Sequence, residues 1–508
     1  MKKRFLGFLS FTVMALVGCG PMPTGSQIKE VKLTKQKRAF KDGTTSSLNQ
    51  AADKADVNWQ LRSTAAGSSI DAVHDLYGPG ETEIVVAVID SGVEVDHPDL
   101  QGQIWVNKNE IPDNNIDDDG NGYVDDVHGW SFLAANQRET NLEMTRLYRR
   151  YQLEKWPAKR LRLWGFTTLA KLKEEFQSDK RRYTEMLSSK DPRRVARAKV
   201  YLNYYLNLNF SPSRQRPRFF RSSPPMQWKV YGNNDYEGPD ARHGTHVAGI
   251  IAAKRESSEK PNEISSGVAA NVKIMVLRAV PDGDERDEDV ANAVRYAADN
   301  GAKVINMSFG KTYSPSKDGI LDISNSLARA FDYAASKNVL IVHAAGNSKQ
   351  DIGLEDHFPK REDSRLARKY WFEVGSTTKN YDENLVSSFS NYGAIYESKV
   401  DLFAPGSEIV SSTPDGKVES LSGTSMATPH VAGVAALALA HILTVEADYD
   451  LADLKSLMLR TVKSVDHLVK KPGTRQLTTM NELSITGGKV DALRLFQALE
   501  AEGLAQVR

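Results

Sequence analysis

Apolar, β-branched runs alternate with amphipathic helical patterns along most of this chain. The apolar runs read IVVAVI, VKIMVLRAV, VINMSFG, VLIVHAAG, WFEVGS and VDLFAPG, and helical spacing is found at 289–300, 323–338 and 451–462. A strand that is apolar on both faces must be covered on both faces. The alternation therefore predicts an α/β fold of three layers, with a mainly parallel sheet between helices.

Two of these segments carry polar side chains where a parallel sheet builds its sites. The run from Glu83 to Ile89 ends in Asp90, so a carboxylate emerges at the carboxyl end of a strand. The segment HGTHVAGI puts His243 at the opening of a helix of small residues. A buried carboxylate that orients a neutral imidazole is one half of a nucleophilic site.

A serine supplies the other half, in the segment LSGTSMATPH. Gly423 is predicted to permit a turn that a Cβ would resist, and Ser425 then lies at a helix N-terminus, where unpaired N–H groups favour negative charge. Pro429 has no N–H for the Ser425 carbonyl four residues earlier, so the turn is predicted to stay irregular. Alone, such a serine is usually a helix cap. With Asp90 and His243 it completes an acyl-transfer triad.

The chain order Asp90, His243, Ser425 and the segments VIDSGV, HGTHVAGI and GTSMATPH resemble the signatures of the subtilisin-like serine proteases, or subtilases. The resemblance runs from about Trp59 to GGKVDALRLFQAL and implies a subtilisin-like fold. It also implies a serine endopeptidase that acts on proteins or peptides through an acyl-enzyme. The alternatives are a non-catalytic scaffold, which should have lost a catalytic residue, a latent protease, and an esterase or ligase that uses another acceptor.

The resemblance implies further site residues. Asn347 matches the side-chain donor to the oxyanion. The alternative is an asparagine that only tolerates a left-handed turn after Gly346. Ser308, Phe309 and Gly310, with Gly346, match the backbone that binds an extended substrate as an added strand.

Four more side chains receive lesser roles. Phe389 and Asn391 are predicted to shape the leaving-group side. His246 lies three residues after His243, but the four-residue spacing and internal glutamate of the strong zinc motif are absent, so His246 is assigned to packing. His343, where subtilases usually carry a small apolar residue, is interpreted as a packing variation within its strand.

The acidic loop at 117–126 has the ligand spacing of an EF-hand. Hard oxygen ligands in this pattern, with glycine at the sixth position, favour Ca²⁺. The twelfth position is His128 rather than glutamate, so a further ligand is expected from Asp126 or Asp113. Similar loops in subtilases hold structural calcium, and the alternative is a solvated acidic turn. The predicted ligands are Asp117, Asp119, Asn121, Tyr123 and Asp125.

The N-terminus resembles a bacterial lipoprotein signal. A basic start and a short apolar run precede LVGC, and the run is too short for a membrane span of about 20 residues. We expect a signal peptide at 1–19, lipidation of Cys19, a polar tether at 20–55, and export to the cell envelope. Gly20 after the cysteine favours the outer membrane. The alternative is a plain secretory signal with an incidental cysteine.

The catalytic domain is predicted at 56–505, interrupted by a charged, mainly helical insertion at 133–230. The insertion is interpreted as a lid, a docking module or an inhibitory element, or as a solvated embellishment. The resemblance implies an N-terminal pro-domain, but too few residues separate Cys19 from Trp59 for a standard one. The chain is therefore expected to fold without it. A net charge of +1 gives no indication of nucleic-acid binding.

Overall fold

The computed structural model describes most of the predicted catalytic domain. The described residues are 58–133, 140–141, 177, 181–182, 184–190, 195, 230–238, 240–255, 266–283, 285–311, 324–354, 357, 359–361, 364–395 and 398–508. The predicted signal peptide with Cys19, the tether and most of the insertion lie outside these residues. Those predictions stay predictions.

A nine-stranded sheet forms the centre of the unit Ala55–Arg508. All neighbouring strands are parallel except the pair β12–β15 at one edge. The six apolar runs each form one strand of this sheet, and nearly every position in them is buried because both faces are covered. In spatial order the strands are β12 (Lys463–Ser464), β15 (Gly488–Lys489), β9 (Leu402–Pro405), β8 (Trp371–Thr377), β7 (Leu340–Ala344), β6 (Val304–Met307), β1 (Ile84–Asp90), β4 (Val272–Arg278) and β2 (Gly129–Ser131).

Short strand pairs and helices complete the described structure. The additional pairs are β3 (Thr140–Asn141) with β5 (Asp282–Gly283), β10 (Ile409–Thr413) with β11 (Lys417–Leu421), and β13 (Val469–Lys470) with β14 (Leu477–Thr478). Among the described residues outside 133–230, the α-helices are α1 (Ile70–Leu76), α2 (Arg242–Ala252), α3 (Asp287–Asp299), α4 (Ser324–Ser336), α5 (Thr424–Val445), α6 (Leu451–Arg460) and α7 (Ala492–Ala501). Helices α3, α4 and α6 lie where helical spacing predicted them.

Helix α5 is the central core helix. It packs against β6, β7, β8 and β9 and against α2, and its small residues allow this close approach. At Gly433 a Cβ would lie 2.6 Å from Val268 Cβ, so a larger residue would force the helix away from its neighbour. The helix is long and apolar enough to cross a membrane, but 89% of its most apolar stretch is buried inside the protein. It therefore belongs to the core.

The sheet topology brings the polar segments together. Strand β1 lies between β6 and β4, although both follow it far along the chain. Asp90 ends β1, Ser308 follows β6, and Asn347 follows β7. The carboxyl ends of parallel strands share one edge, where open α/β sheets build their sites.

Candidate active site

Asp90 and His243 form a direct hydrogen bond. His243 is the second residue of α2, and its Nδ1 lies 2.7 Å from Asp90 Oδ1. The Asp90 side chain is 2% exposed, whereas that of His243 is 39% exposed. A carboxylate can only accept, so Nδ1 carries the proton and the Nε2 lone pair is left for a substrate or nucleophile proton.

The hydrogen bond to Asp90 also raises the pKa of His243. Burial lowers the pKa of the imidazole, but the Asp90 carboxylate opposes burial and the net pKa lies above the ordinary value. Asp90 Oδ1 also accepts the backbone N–H of Ser91 at 2.7 Å, which fixes the carboxylate. The pair can therefore hold a proton taken from a nucleophile.

Ser425 is the second residue of α5, in the first turn of the helix. Its Oγ donates to the Ser308 carbonyl at 2.9 Å, and its own carbonyl accepts from Ser308 Oγ at 2.9 Å. Pro429 has no N–H, so Ser308 takes the place of the missing helical donor. The prediction of an irregular turn was wrong, because α5 continues through Pro429 without interruption.

Asn347 is held so that its amide nitrogen is free to donate. Its Oδ1 accepts from the backbone N of Thr424 at 2.8 Å and from Thr424 Oγ1 at 3.1 Å. A Cβ at Gly423 would lie 3.5 Å from Asn347 Nδ2 and 3.6 Å from Ser425 N. Two N–H donors therefore flank one point beside the nucleophile, as an oxyanion site requires. Asn347 does not have a positive φ, which argues against the turn-only alternative.

The prediction for Gly423 needs correction. Its φ of 168° is extended backbone that any residue can adopt, so conformational freedom is not its role. The absent side chain instead leaves open the space that the two donors flank. Glycine is conformationally required at Gly346, where φ is 99° and a Cβ would lie 2.6 Å from Asn391 Nδ2.

Asn391 braces the loop that carries Asn347. It is 3% exposed, its Oδ1 accepts from the backbone N of Ser348 and Gln350, and its Nδ2 donates to Ala345 O at 2.7 Å. These contacts give Asn391 a positioning role, and the predicted leaving-group role stays a prediction. The backbone of Phe389 contributes to the same loop, because its carbonyl accepts from Lys349 N at 3.1 Å.

The predicted substrate strand runs beside the nucleophile. Strand β6 ends at Met307, and the next three residues change from buried Ser308 through half-buried Phe309 to exposed Gly310. Ser308 contacts Ser425 by both hydrogen bonds described above. The segment therefore has an exposed end at the site, which a plain core strand would lack.

His246 and His343, both assigned to packing from the sequence, differ in their surroundings. His246 is fully buried, its Nε2 lies 3.0 Å from Glu419 O, and burial lowers its pKa to about 4, which fits a neutral packing residue. His343 is also fully buried, but it is more than a packing variation, because its Nδ1 lies 3.0 Å from Glu373 Oε1. Burial opposes ionisation of Glu373, but His343 and His357 hold the pKa of that carboxyl below its ordinary value.

The acidic loop gathers three carboxylates. Oxygens of Glu110, Asp119 and Asp126 lie within 4.8 Å of one another, and Asp126 is completely buried. Burial raises the pKa of Asp126 to about 6, and Asp119 adds to the rise. Asn107 Nδ2 donates to both Asp119 and Asp126, at 2.9 and 2.8 Å. Glu110 lies before the loop and was missed, because the EF-hand pattern counted from Asp117 does not include its position.

The other predicted ligands surround this group. The Asp117 and Asp125 carboxylates accept from backbone N–H groups of the loop, and Asn121 Nδ2 donates to Asp119 and Asp126. The Tyr123 ring packs edge-on against Trp130 and Tyr296. No helix forms between residues 101 and 128, all of which are described, so the loop has the spacing of an EF-hand without its helices.

Removing the Asn347 donor should slow the chemical step. For Asn347→Ala we expect kcat to fall about 10²–10³-fold with little change in KM, because the interaction strengthens only as the oxyanion forms. Asn347→Asp is a second variant, which keeps an oxygen for Thr424 but replaces the N–H donor with a carboxylate whose negative charge opposes the oxyanion, so kcat should fall at least as far. Steady-state kinetics on a peptide substrate measure both, and a wild-type kcat in Asn347→Asp would contradict the assignment.

Comparisons with known proteins find a family model and several relatives that resemble this chain in sequence. A family model described as "Subtilase family" matches residues 81–479. A thermophilic serine proteinase of Bacillus sp. (strain AK1) is 39% identical over 221 residues, which cover 42% of this chain and 48% of that relative. Thermitase of Thermoactinomyces vulgaris is 38% identical over 42% of this chain and 69% of its own. The matched region thus spans about half the length of the first relative (48%) and about two thirds of the second (69%).

A solved structure extends the likeness to most of the chain. A protease of Pseudoalteromonas arctica matches with a TM-score of 0.50 and 20% identity, over 87% of this chain and 97% of its own. At that identity the likeness shows the fold alone.

Proposed function

The chain belongs to the subtilase family of serine endopeptidases, and from this premise we propose that it hydrolyses peptide bonds in proteins through an acyl-enzyme on Ser425. The observation that carries the proposal is the pairing of an Asp90–His243 hydrogen bond with two N–H donors beside Ser425. Acyl transfer needs a base and an oxyanion site at one serine, and we assign His243 as the base for Ser425.

Each step uses a group that the site holds. The Ser425 hydroxyl leaves the Ser308 carbonyl, gives its proton to His243 Nε2 and attacks the scissile carbonyl carbon. Asn347 Nδ2 and Ser425 N donate to the resulting oxyanion. His243 then protonates the leaving amine, and a water deprotonated by His243 hydrolyses the acyl-enzyme. Asp90 stays ionised and stabilises the imidazolium.

Digestion of an unfolded protein tests this function. We expect casein to be cut into peptides, and mass spectrometry of the new termini in H₂¹⁸O should find ¹⁸O in the new carboxyl groups. Turnover of small esters with no cleavage of casein or of short peptides would favour the esterase alternative. Products joined end to end would favour the ligase.

Calcium is proposed as a structural ion at the acidic loop. Glu110, Asp119 and Asp126 fit the role, since a divalent hard cation would offset most of the negative charge of three carboxylates that lie close together, two of them buried. The side chains of Asn107 and Asn121 already donate to Asp126 through Nδ2. Their side-chain oxygens, Oδ1, could therefore supply two further ligands after a small rotation. The ion would stabilise the loop and take no part in the chemical step.

Calcium should raise thermal stability through this group. At a free Ca²⁺ concentration of about 100 Kd the expected gain is about 2.7 kcal/mol, which corresponds to several degrees in Tm. Asp126→Asn should remove most of that gain, because the most buried charge of the group is lost. Asp466→Asn, at a fully exposed aspartate, is the control. Thermal unfolding with and without calcium measures the effect, and an equal gain in Asp126→Asn would contradict the assignment.

A lipid anchor at Cys19 is proposed for localisation in the cell envelope, at the outer membrane. It rests on the basic start, the apolar run and LVGC. Expressed with its own N-terminus in a Gram-negative host, the protein should partition into Triton X-114 and incorporate labelled palmitate. Cys19→Ala should abolish the labelling. Labelling that persists in this variant would contradict the proposed lipidation of Cys19.

A further inference from the structure

Three ionisable side chains meet in the core behind the candidate active site. His343 lies on β7, Glu373 on the neighbouring strand β8, and His357 in the chain between them. Their exposed fractions are 0%, 3% and 5%. The catalytic steps use none of the three. We refer to them as the buried cluster.

The geometry of the buried cluster is compact. Glu373 Oε1 lies 3.0 Å from His343 Nδ1 and 2.9 Å from His357 Nε2, and the three ligand atoms lie within 4.8 Å of one another. Glu373 is rigidly held from outside, because Trp371 Nε1 donates to its Oε2 at 2.9 Å and its backbone N donates to Asp401 Oδ2 at 2.7 Å. Two imidazole nitrogens and one carboxylate oxygen thus point at one another with little freedom.

We propose that the buried cluster binds one divalent transition-metal ion, with Zn²⁺ as the expected ion, through His343 Nδ1, His357 Nε2 and Glu373 Oε1. Imidazole and carboxylate together are a donor set that zinc prefers, while calcium requires more oxygens. Bonds of about 2.0–2.1 Å in tetrahedral geometry place the ligand atoms ~3.3 Å apart. The two separations from Glu373 Oε1, 3.0 Å to His343 Nδ1 and 2.9 Å to His357 Nε2, need to open by only a few tenths of an ångström, and the two imidazole nitrogens lie within 4.8 Å of each other.

An ion at this position would also remove an electrostatic cost. An ionised carboxylate in the core is expensive unless it is neutralised and hydrogen-bonded. A divalent cation would neutralise the Glu373 carboxylate and would also bind His343 Nδ1 and His357 Nε2. The competing hypothesis is a metal-free hydrogen-bond network with the same three residues.

The buried cluster lies directly behind residues of the site. The ring of His343 is 6.5 Å from that of Phe309, in the segment matched to substrate binding. His357 Cε1 would lie 3.6 Å from a Cβ at Gly346, in the loop of Asn347. The metal would therefore link β7, β8 and the 357 segment beneath the oxyanion loop, and its removal should loosen that loop.

Cobalt is a direct probe of the site, because tetrahedral Co²⁺ absorbs strongly in the visible range. The full chain with Ser425→Ala, which prevents self-digestion, is stripped with a chelator and titrated with Co²⁺ in excess Ca²⁺, so that the acidic loop is occupied. We expect one equivalent to bind with tetrahedral d–d bands and Zn²⁺ to displace it. Metal analysis of the untreated protein should find zinc at about one per chain.

Matched variants locate the ion. His357→Gln and Glu373→Gln should each weaken Co²⁺ binding at least ~100-fold, since even an outer hydrogen-bond partner of a metal ligand costs about 10–100-fold. His467→Gln, at a partly exposed histidine, should bind as the parent does. Circular dichroism checks that each variant is folded. Folded parent that binds no Co²⁺ or Zn²⁺, or unchanged binding in both cluster variants, would overturn the proposal in favour of the metal-free network.

Discussion

Ser425→Ala is expected to lower kcat by about 10⁶-fold, the size of effect known for the nucleophile of a subtilisin. The variant loses the hydroxyl oxygen that is proposed to attack beside the two oxyanion donors. It also loses the hydrogen bond from Ser425 Oγ to the Ser308 carbonyl. The reciprocal bond from Ser308 Oγ to the Ser425 carbonyl does not involve the side chain of residue 425 and should persist.

Stability should therefore change little in this variant. The hydrogen bond that is lost is part-buried and contributes about 0.5–1.5 kcal/mol at most. Steady-state kinetics on a peptide substrate measure kcat, and thermal unfolding compares the stability of the variant with that of the parent protein. Ser422→Ala, three residues earlier and also hydrogen-bonded through its hydroxyl, is the control that should keep nearly full activity. Proteolysis that survives Ser425→Ala in purified protein would refute the assignment.

Asp90→Asn is expected to lower kcat by about 10⁴-fold. An amide in place of the carboxylate can donate to His243 Nδ1, which favours the tautomer with its proton on Nε2. That tautomer cannot accept the proton of Ser425. Asp90 Oδ1 accepts from both His243 Nδ1 and the backbone N of Ser91, so an amide nitrogen in its place also leaves the Ser91 N–H without its acceptor. We therefore expect a loss of stability of about 1–3 kcal/mol beside the loss of activity.

The same substitution should also shift the pH profile of kcat/KM in a defined direction. Catalysis needs neutral His243, so kcat/KM should rise as pH passes upward through the pKa of the imidazole. Asp90 raises that pKa in the native enzyme. In Asp90→Asn the residual activity should therefore reach its plateau at lower pH. Asp415→Asn, at a surface aspartate that is 78% exposed, should keep the native profile. An acid limb that stays in place in Asp90→Asn would contradict the proposed role.

Much of the fold could be predicted from the sequence because its signals are strong and local. The strands of the central sheet are apolar on both faces, and such short, β-branched runs are typical of strands that helices cover on each side. Asp90 could be placed because it directly ends such a strand. His243 and Ser425 could be placed because glycine and small residues mark tight helix openings beside them.

Long-range partners could not be predicted, because no local pattern specifies them. Asn391 braces the Asn347 loop although it lies 46 positions beyond Ala345, and only the folded backbone brings its amide to that carbonyl. Glu373 meets His343 through the register of two adjacent strands, which the sequence does not reveal. The β10–β11 hairpin was missed although its turn, Pro414-Asp415-Gly416, carries a recognisable signal.

Labelling with a fluorophosphonate probe decides whether the triad and the oxyanion donors act together at Ser425. The probe reacts only with a serine that a base activates beside an oxyanion site, so it reports both halves of the arrangement at once. We expect a single adduct, mapped by mass spectrometry to Ser425, formed much more slowly in Asp90→Asn and absent in Ser425→Ala. Folded protein that gives no adduct at Ser425, or that is labelled at another serine, would contradict the assigned nucleophile and its surroundings.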